Sequence, residues 1–179
     1  MDDNIFFNKP DTRIPRNQQS INPISSTVPM RRAMCKIYLL NPQSIASATP
    51  TVLNFDASSF DTVGLHDNVT NNSRITIPTT GRTSGLWHLH GKILWSAGLS
   101  SSINVSILVT PPDGGTASLA STYGALAGAG KDISLEVYSY IYDPIPGTYY
   151  QLQVSQLTGG NLTLLNSADL TYFEVVHLW

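Results

Sequence analysis

The sequence predicts an all-β protein, an antiparallel sandwich or jelly roll, on three observations. Beyond residue 33, apolar residues recur at every second position in one short segment after another, the spacing of half-buried strands. Turn residues punctuate those segments: 13 glycines and 11 prolines stand in 179 residues, and each has a conformational reason to bend the chain. Charged residues make up only 12%, and the Ser, Thr, Asn, Gly and Pro that replace them are poor helix formers.

The segments follow in order. Met34–Leu40 (MCKIYLL) is a first strand, and Thr51–Phe55 (TVLNF) a short second one. Ser73–Ile77 (SRITI) alternates and stops at Pro78. Leu86–Trp95 (LWHLHGKILW) sets Trp87, Leu89, Gly91, Ile93 and Trp95 on one face, with His88, His90 and Lys92 on the other. Ile103–Val109 runs into Pro111-Pro112-Asp113-Gly114-Gly115, a turn in which proline fixes φ and glycine accepts a positive one. Thr116–Thr122 returns as the hairpin partner, and Tyr123–Gly130 reads as a small-residue loop. Ile133–Tyr142 turns Ile133, Leu135, Val137 and Ile141 inward and Glu136, Tyr138, Tyr140 and Tyr142 outward. Tyr149–Leu157, Asn161–Leu165 and Tyr172–Leu178 complete the series. Eight to ten short strands and no helix result, but the sequence does not itself supply strand order.

Residues 1–32 read as an extended N-terminal arm, and 33–179 as the β domain. Prolines at 10, 15, 23 and 29 forbid a continuous helix in the arm. Its scattered apolar residues, among them Ile5, Phe6, Phe7 and Ile14, are too few for a core but suit pockets on a partner. Five basic residues, Arg13 and Arg16 included, face three acidic ones in the arm, against five and nine in the remainder. A mildly basic arm on an acidic body suits docking on an acidic surface. Neither a collagen repeat nor a heptad stalk is present.

One cysteine, Cys35, rules out an intrachain disulfide and reads as a buried free thiol. No apolar run approaches the length of a membrane span. The N-terminus carries acids where a signal peptide has bases, so a soluble protein made without standard export is expected. The sequons at Asn68, Asn71, Asn104 and Asn161 are read as unoccupied on the same ground.

His88 and His90, two apart on one strand, project from the same face and could bind zinc with a third ligand from His66, His177 or a symmetry mate. With no cysteine pair and no Glu-containing zinc motif, the preferred reading is polar residues on a strand face or a trimer seam. Asp56, Asp61, Asp67 and Asp113 fit no EF-type spacing and read as turn-capping carboxylates. No Gly-x-Ser-x-Gly elbow occurs, and Glu136 and Glu174, the two glutamates, lie mid-strand. No catalytic residue, metal or cofactor is assigned.

Several phrases carry a resemblance. They are Phe55-Asp56 with Phe60-Asp61-Thr62 and Gly64-Leu65-His66-Asp67; Ser73-Arg74-Ile75-Thr76-Ile77-Pro78 leading through Gly81 to Gly85-Leu86-Trp87; and Leu152-Gln153-Val154 with the terminal Phe173-Glu174-Val175-Val176-His177-Leu178. Together they resemble the tumour necrosis factor / complement globular-head superfamily, in the versions found in bacteriophage virion proteins. Arg82-Thr83-Ser84 departs from that pattern as an insertion between two glycines that usually coincide.

The resemblance implies an antiparallel ten-stranded jelly roll in a three-fold trimer. It also implies that the first and last strands are neighbours, so that the arm leaves from the base. Tyr138, Tyr140 and Tyr142 share one strand face, which on a lone chain would be an uncovered aromatic patch. The candidate trimer interface is therefore Tyr138, Tyr140, Tyr142, Tyr149, Trp87, His88 and His90. The candidate capsid-anchoring residues are Ile5, Phe6, Phe7, Arg13, Ile14 and Arg16. The expectation is a non-enzymatic virion protein, assembled in the host cytoplasm: a capsid decoration (cement) or head-attached homotrimer. Its arm would grip the major capsid protein or another virion protein, with no nucleic-acid or membrane partner. The alternative is a receptor-binding tip or tail adaptor, its loops Ala57–Asn72 and Tyr123–Lys131 recognising a host glycan or protein.

Overall fold

A computed structural model describes residues 32–81, 83–96, 102–125 and 132–179. Residues 1–31 of the arm, with its six candidate anchoring residues, lie outside the described residues. Among those described, twelve strands and no helix are found. They are β1 (Met34–Tyr38), β2 (Gln43–Ile45), β3 (Thr51–Val52), β4 (Ala57–Asp61), β5 (Arg74–Thr76), β6 (Leu86–Trp95), β7 (Ser102–Thr110), β8 (Ala117–Ala125), β9 (Ile133–Tyr142), β10 (Tyr149–Gln156), β11 (Leu162–Leu164) and β12 (Tyr172–His177).

Two antiparallel sheets divide them. In the seven-stranded sheet the path runs β2-β11-β6-β12-β1-β4, and β9 takes the other edge of β6 along its full length. In the five-stranded sheet the path runs β3-β10-β7-β8, with β5 also paired to β10. The first and last strands are neighbours, Cys35 opposite Val175 and Ile37 opposite Phe173. This is the TNF-like jelly roll that the resemblance implied, with a finer subdivision of its strands.

Alternation builds the core. β6 turns Trp87, Leu89, Ile93 and Trp95 inward, β12 turns Phe173 and Val175, and the facing sheet answers with Val105, Ile107, Leu152 and Val154, all fully buried. Each such side chain contributes roughly 1.5–3 kcal/mol relative to exposure. The facing sheet packs tightly on Gly91, where an added Cβ would collide with Leu152 Cδ1 and lie 3.2 Å from Val137 Cγ1 on the neighbouring strand.

Several sequence expectations need correction. Gln43–Ile45 and Ala57–Asp61 are strands that the pattern did not reveal. Ala57–Asn72 is thus not wholly a loop: its first five residues form a strand along β1, Lys36 opposite Phe60 and Tyr38 opposite Ala57, with a bulge between. Thr51–Phe55 keeps strand pairing only at Thr51–Val52. β8 continues through Tyr123 and Gly124 to Ala125, with Ile103 opposite Gly124, because the ladder with β7 extends past the alternating part of the sequence. The Pro111–Gly115 turn holds as read, Gly114 N donating to Pro111 O at 3.0 Å.

Of the Arg82-Thr83-Ser84 insertion, Thr83 and Ser84 are tied down by their carbonyls. Trp87 Nε1 donates to Thr83 O at 3.0 Å, and the His177 ring donates from Nε2 to Ser84 O at 2.9 Å. Gly85, at φ 113°, lies so close to Trp179 O that no side chain fits.

Candidate assembly face

The outward face of the seven-stranded sheet gathers the aromatic and histidine residues. From β9 come Tyr138, Tyr140 and Tyr142, exposed at 66%, 59% and 70%. Pairing with β6 sets Leu86 opposite Tyr142, His88 opposite Tyr140, His90 opposite Tyr138 and Lys92 opposite Glu136. Across the other edge of β6, His88 faces Val176, His90 faces Glu174 and Lys92 faces Tyr172. β1 adds Lys36 opposite Glu174 and Tyr38 opposite Tyr172. Large aromatic surface stands uncovered here, rimmed by balanced charge.

Local contacts order the face. The His88 ring lies 4.8 Å from that of Tyr140 and 6.1 Å from that of His90, centroid to centroid. His90 meets Tyr172 edge-on at 5.4 Å, and its Nε2 stands 3.5 Å from Glu136 Oε2. Lys92 Nζ reaches the other oxygen of Glu136 at 3.6 Å. Lys36 Nζ sits 4.1 Å over the Tyr172 ring and 3.8 Å from Asp169. Exposed pairs of this kind add little stability; their effect is to fix side-chain positions. Burial, and then the neighbouring His90, hold the His88 imidazole below the ordinary histidine range, while Glu174 pulls the other way. Burial, with Glu136, Glu174 and Asp169, raises the Tyr172 phenol.

Two of the seven candidate interface residues lie elsewhere. Trp87 is fully buried in the sandwich interior, its ring stacked on His177 at 4.6 Å. It precedes His88 by one residue, and one step along a strand reverses the face. Tyr149 opens β10 in the other sheet, with the Arg74 guanidinium 4.5 Å over its ring. The structure therefore gathers Tyr138, Tyr140, Tyr142, His88 and His90 on one face. It adds Tyr172, Glu174 and Val176 from β12, and Glu136, which the β9 alternation already placed outward. Their membership depended on knowing that β12 and β9 flank β6.

The other singled-out groups are engaged locally. His66 donates from Nδ1 to Arg74 O at 2.8 Å, and neither His66 nor His177 shares the face of His88 and His90. No group of three or more His, Cys, Asp or Glu able to hold a metal occurs among the described residues. Asp61 accepts from the backbone N–H of Val63, Gly64 and Leu65 through Oδ1 and of His66 through Oδ2. Asp67 caps Val69 and Thr70, and hydrogen bonding to Thr70 and Val69 lowers its carboxyl. Cys35 is buried, and burial together with Asp61 and Glu174 pushes its thiol upward, so it is a poor nucleophile.

Known structures share this architecture. Murine APRIL, in crystal structures determined at pH 5.0, 8.0 and 8.5, superposes with TM-scores of 0.63, 0.62 and 0.58. Sequence identities are 11%, 11% and 10%, over 83% of this chain and 100% of each APRIL chain. At that identity the likeness establishes the fold, a TNF-like jelly roll. No family model and no curated protein matches the sequence.

Proposed function

We propose that the chain is a non-enzymatic structural protein that assembles as a homotrimer through the outward face of β6, β9 and β12. The observation that carries this reading is the row Tyr138, Tyr140 and Tyr142, three large aromatics left open on one strand. Tyrosine combines apolar area with a polar tip and favours interfaces. The opposed Lys and Glu residues around the row balance, so a second copy meets the face without net repulsion. TNF-like folds commonly associate in threes, which fits this face.

More narrowly, the reading is a virion decoration or head-attached trimer. Support comes from the sequence: the phrases resembling phage virion proteins, and the proline-broken, mildly basic arm with Ile5, Phe6, Phe7, Arg13, Ile14 and Arg16. In this reading the jelly roll supplies symmetry and bulk, and the arm grips the shell.

Deleting residues 1–30 tests it. The shortened chain should still form trimers but lose its binding to capsids. Capsid binding retained without the arm would overturn the anchoring role.

A further inference from the structure

His88 occupies the middle of the assembly face and differs from the other charged or histidine side chains of β1, β6, β9 and β12 there. Its directly opposed neighbours, Tyr140 and Val176, carry no charge. His90 has Glu174 opposite and Glu136 within 3.5 Å. Lys92 has Glu136 opposite, and Lys36 has Glu174. We infer that the assembly is gated by protons at His88: neutral imidazoles let the seam close, and protonation opens it. This rests on the proposal that copies of the chain meet through this face.

The groups around His88 determine the sign. Along β6 stand His90, 6.1 Å away between ring centroids, and beyond it Lys92. From β9 come Tyr138, Tyr140, Tyr142 and Glu136, and from β12 Tyr172 and Glu174. Lys36 lies further out on β1. Of the two acids, Glu136 is engaged by His90 and Lys92. Glu174 sits opposite His90 and Lys36, diagonal to His88. Carboxylates thus stand both opposite and beside His90, whereas His88 lies among aromatic rings and a second histidine, with Glu174 only diagonal to it.

A second copy is the occupant that the charges favour. Lys36 and Lys92 match Glu136 and Glu174, and the centre is uncharged apart from protons on histidine. Such a face gains little from a strongly acidic or basic partner, but it complements itself. Covering it removes water from His88 and brings like rings together, both of which disfavour the imidazolium. In the uncovered chain burial already acts in that direction. Association is thus complete while His88 is neutral and falls as pH drops through its titration. Three histidines per trimer give a steep dependence, up to about a thousandfold in association constant per pH unit.

The test is light scattering of the full chain across a dilution series, at about pH 8 and about pH 5, with circular dichroism at each pH. The lower value lies below the ordinary histidine pKa and above the ordinary carboxylate range. The wild type should be trimeric at the higher pH and dissociate, still folded, at the lower. His88→Gln, and His88→Phe as a second variant, should be trimeric at both; His90→Gln should keep the wild-type response. A wild type that is monomeric at about pH 8 would overturn the assembly reading itself. A wild type trimeric at both values would overturn only the gating. So would dissociation that persists in both His88 variants.

Discussion

His88 and Tyr140 stand directly opposite one another on β6 and β9, their rings 4.8 Å apart and tilted by 30°. The contact joins the two strands that dominate the outward face. It places an ionisable ring against the middle tyrosine of the uncovered row. A charge introduced at either member of the pair therefore falls in the same small area of the proposed seam.

Tyr140→Glu puts three like charges into that area in the assembled form. Exposed as Tyr140 is on a single chain, the substitution should leave the monomer folded, with stability changed by no more than about 0.5 kcal/mol. The trimer should dissociate. Sedimentation velocity beside thermal unfolding checks this, and a folded, fully trimeric variant would show that another face forms the seam.

Gly91→Ala acts between the sheets. The new methyl group must displace Leu152 Cδ1 and press on Val137, overpacking that costs about 1–3 kcal/mol. Gly160, where an added Cβ meets nothing within 4 Å, supplies the control: Gly160→Ala should change stability little. Urea unfolding of the two variants side by side measures the difference. Equal midpoints would contradict the packing described for β6 and β10.

Asp61→Ala removes the acceptor for four backbone N–H groups, from Val63 to His66. That turn leads to buried Leu65, whose carbonyl accepts from Thr76 N at 2.8 Å. Loss of the carboxylate should cost about 1–3 kcal/mol, and Asp61→Asn should recover part of it through its remaining carbonyl. Denaturant midpoints for the pair test this, together with amide exchange at Gly64 and Leu65. Unchanged exchange in Asp61→Ala would remove the capping role.

Much of this organisation was legible in the sequence. The long strands β6, β9, β10 and β12 alternate cleanly, so their inward and outward residues could be read before strand order was known. β4 was not, because Ala57-Ser58-Ser59-Phe60-Asp61 does not alternate; it is an edge strand held by the main chain of β1 through a bulge. β2 is three residues held by β11, too short for periodicity to register. The face was half legible. Tyr138, Tyr140 and Tyr142 announced it, but the contributions of Tyr172 and Glu174 required the pairing of β12 with β6. Trp87 shares the parity of Leu89, which places it inside.

Alkaline pH probes the core through Tyr150. Burial pushes its phenol up to about 12, so the folded state resists ionising a group that ionises near the ordinary tyrosine value in the unfolded chain. Its contribution is complete below an ordinary pKa of 10.0 and is lost as pH rises toward about 12. Tyr150→Phe should flatten that decline. Unfolding followed from neutral to alkaline pH tests it, and an unchanged slope in Tyr150→Phe would contradict the assignment.

The central claim is that this face joins three copies of the chain. Multi-angle light scattering on the full chain at about pH 8 measures it most directly. Three times the chain mass of 19.4 kDa is the expected result for the wild type, and one chain mass for Tyr140→Glu. A wild type that elutes at the mass of one chain throughout a concentration series would contradict the account.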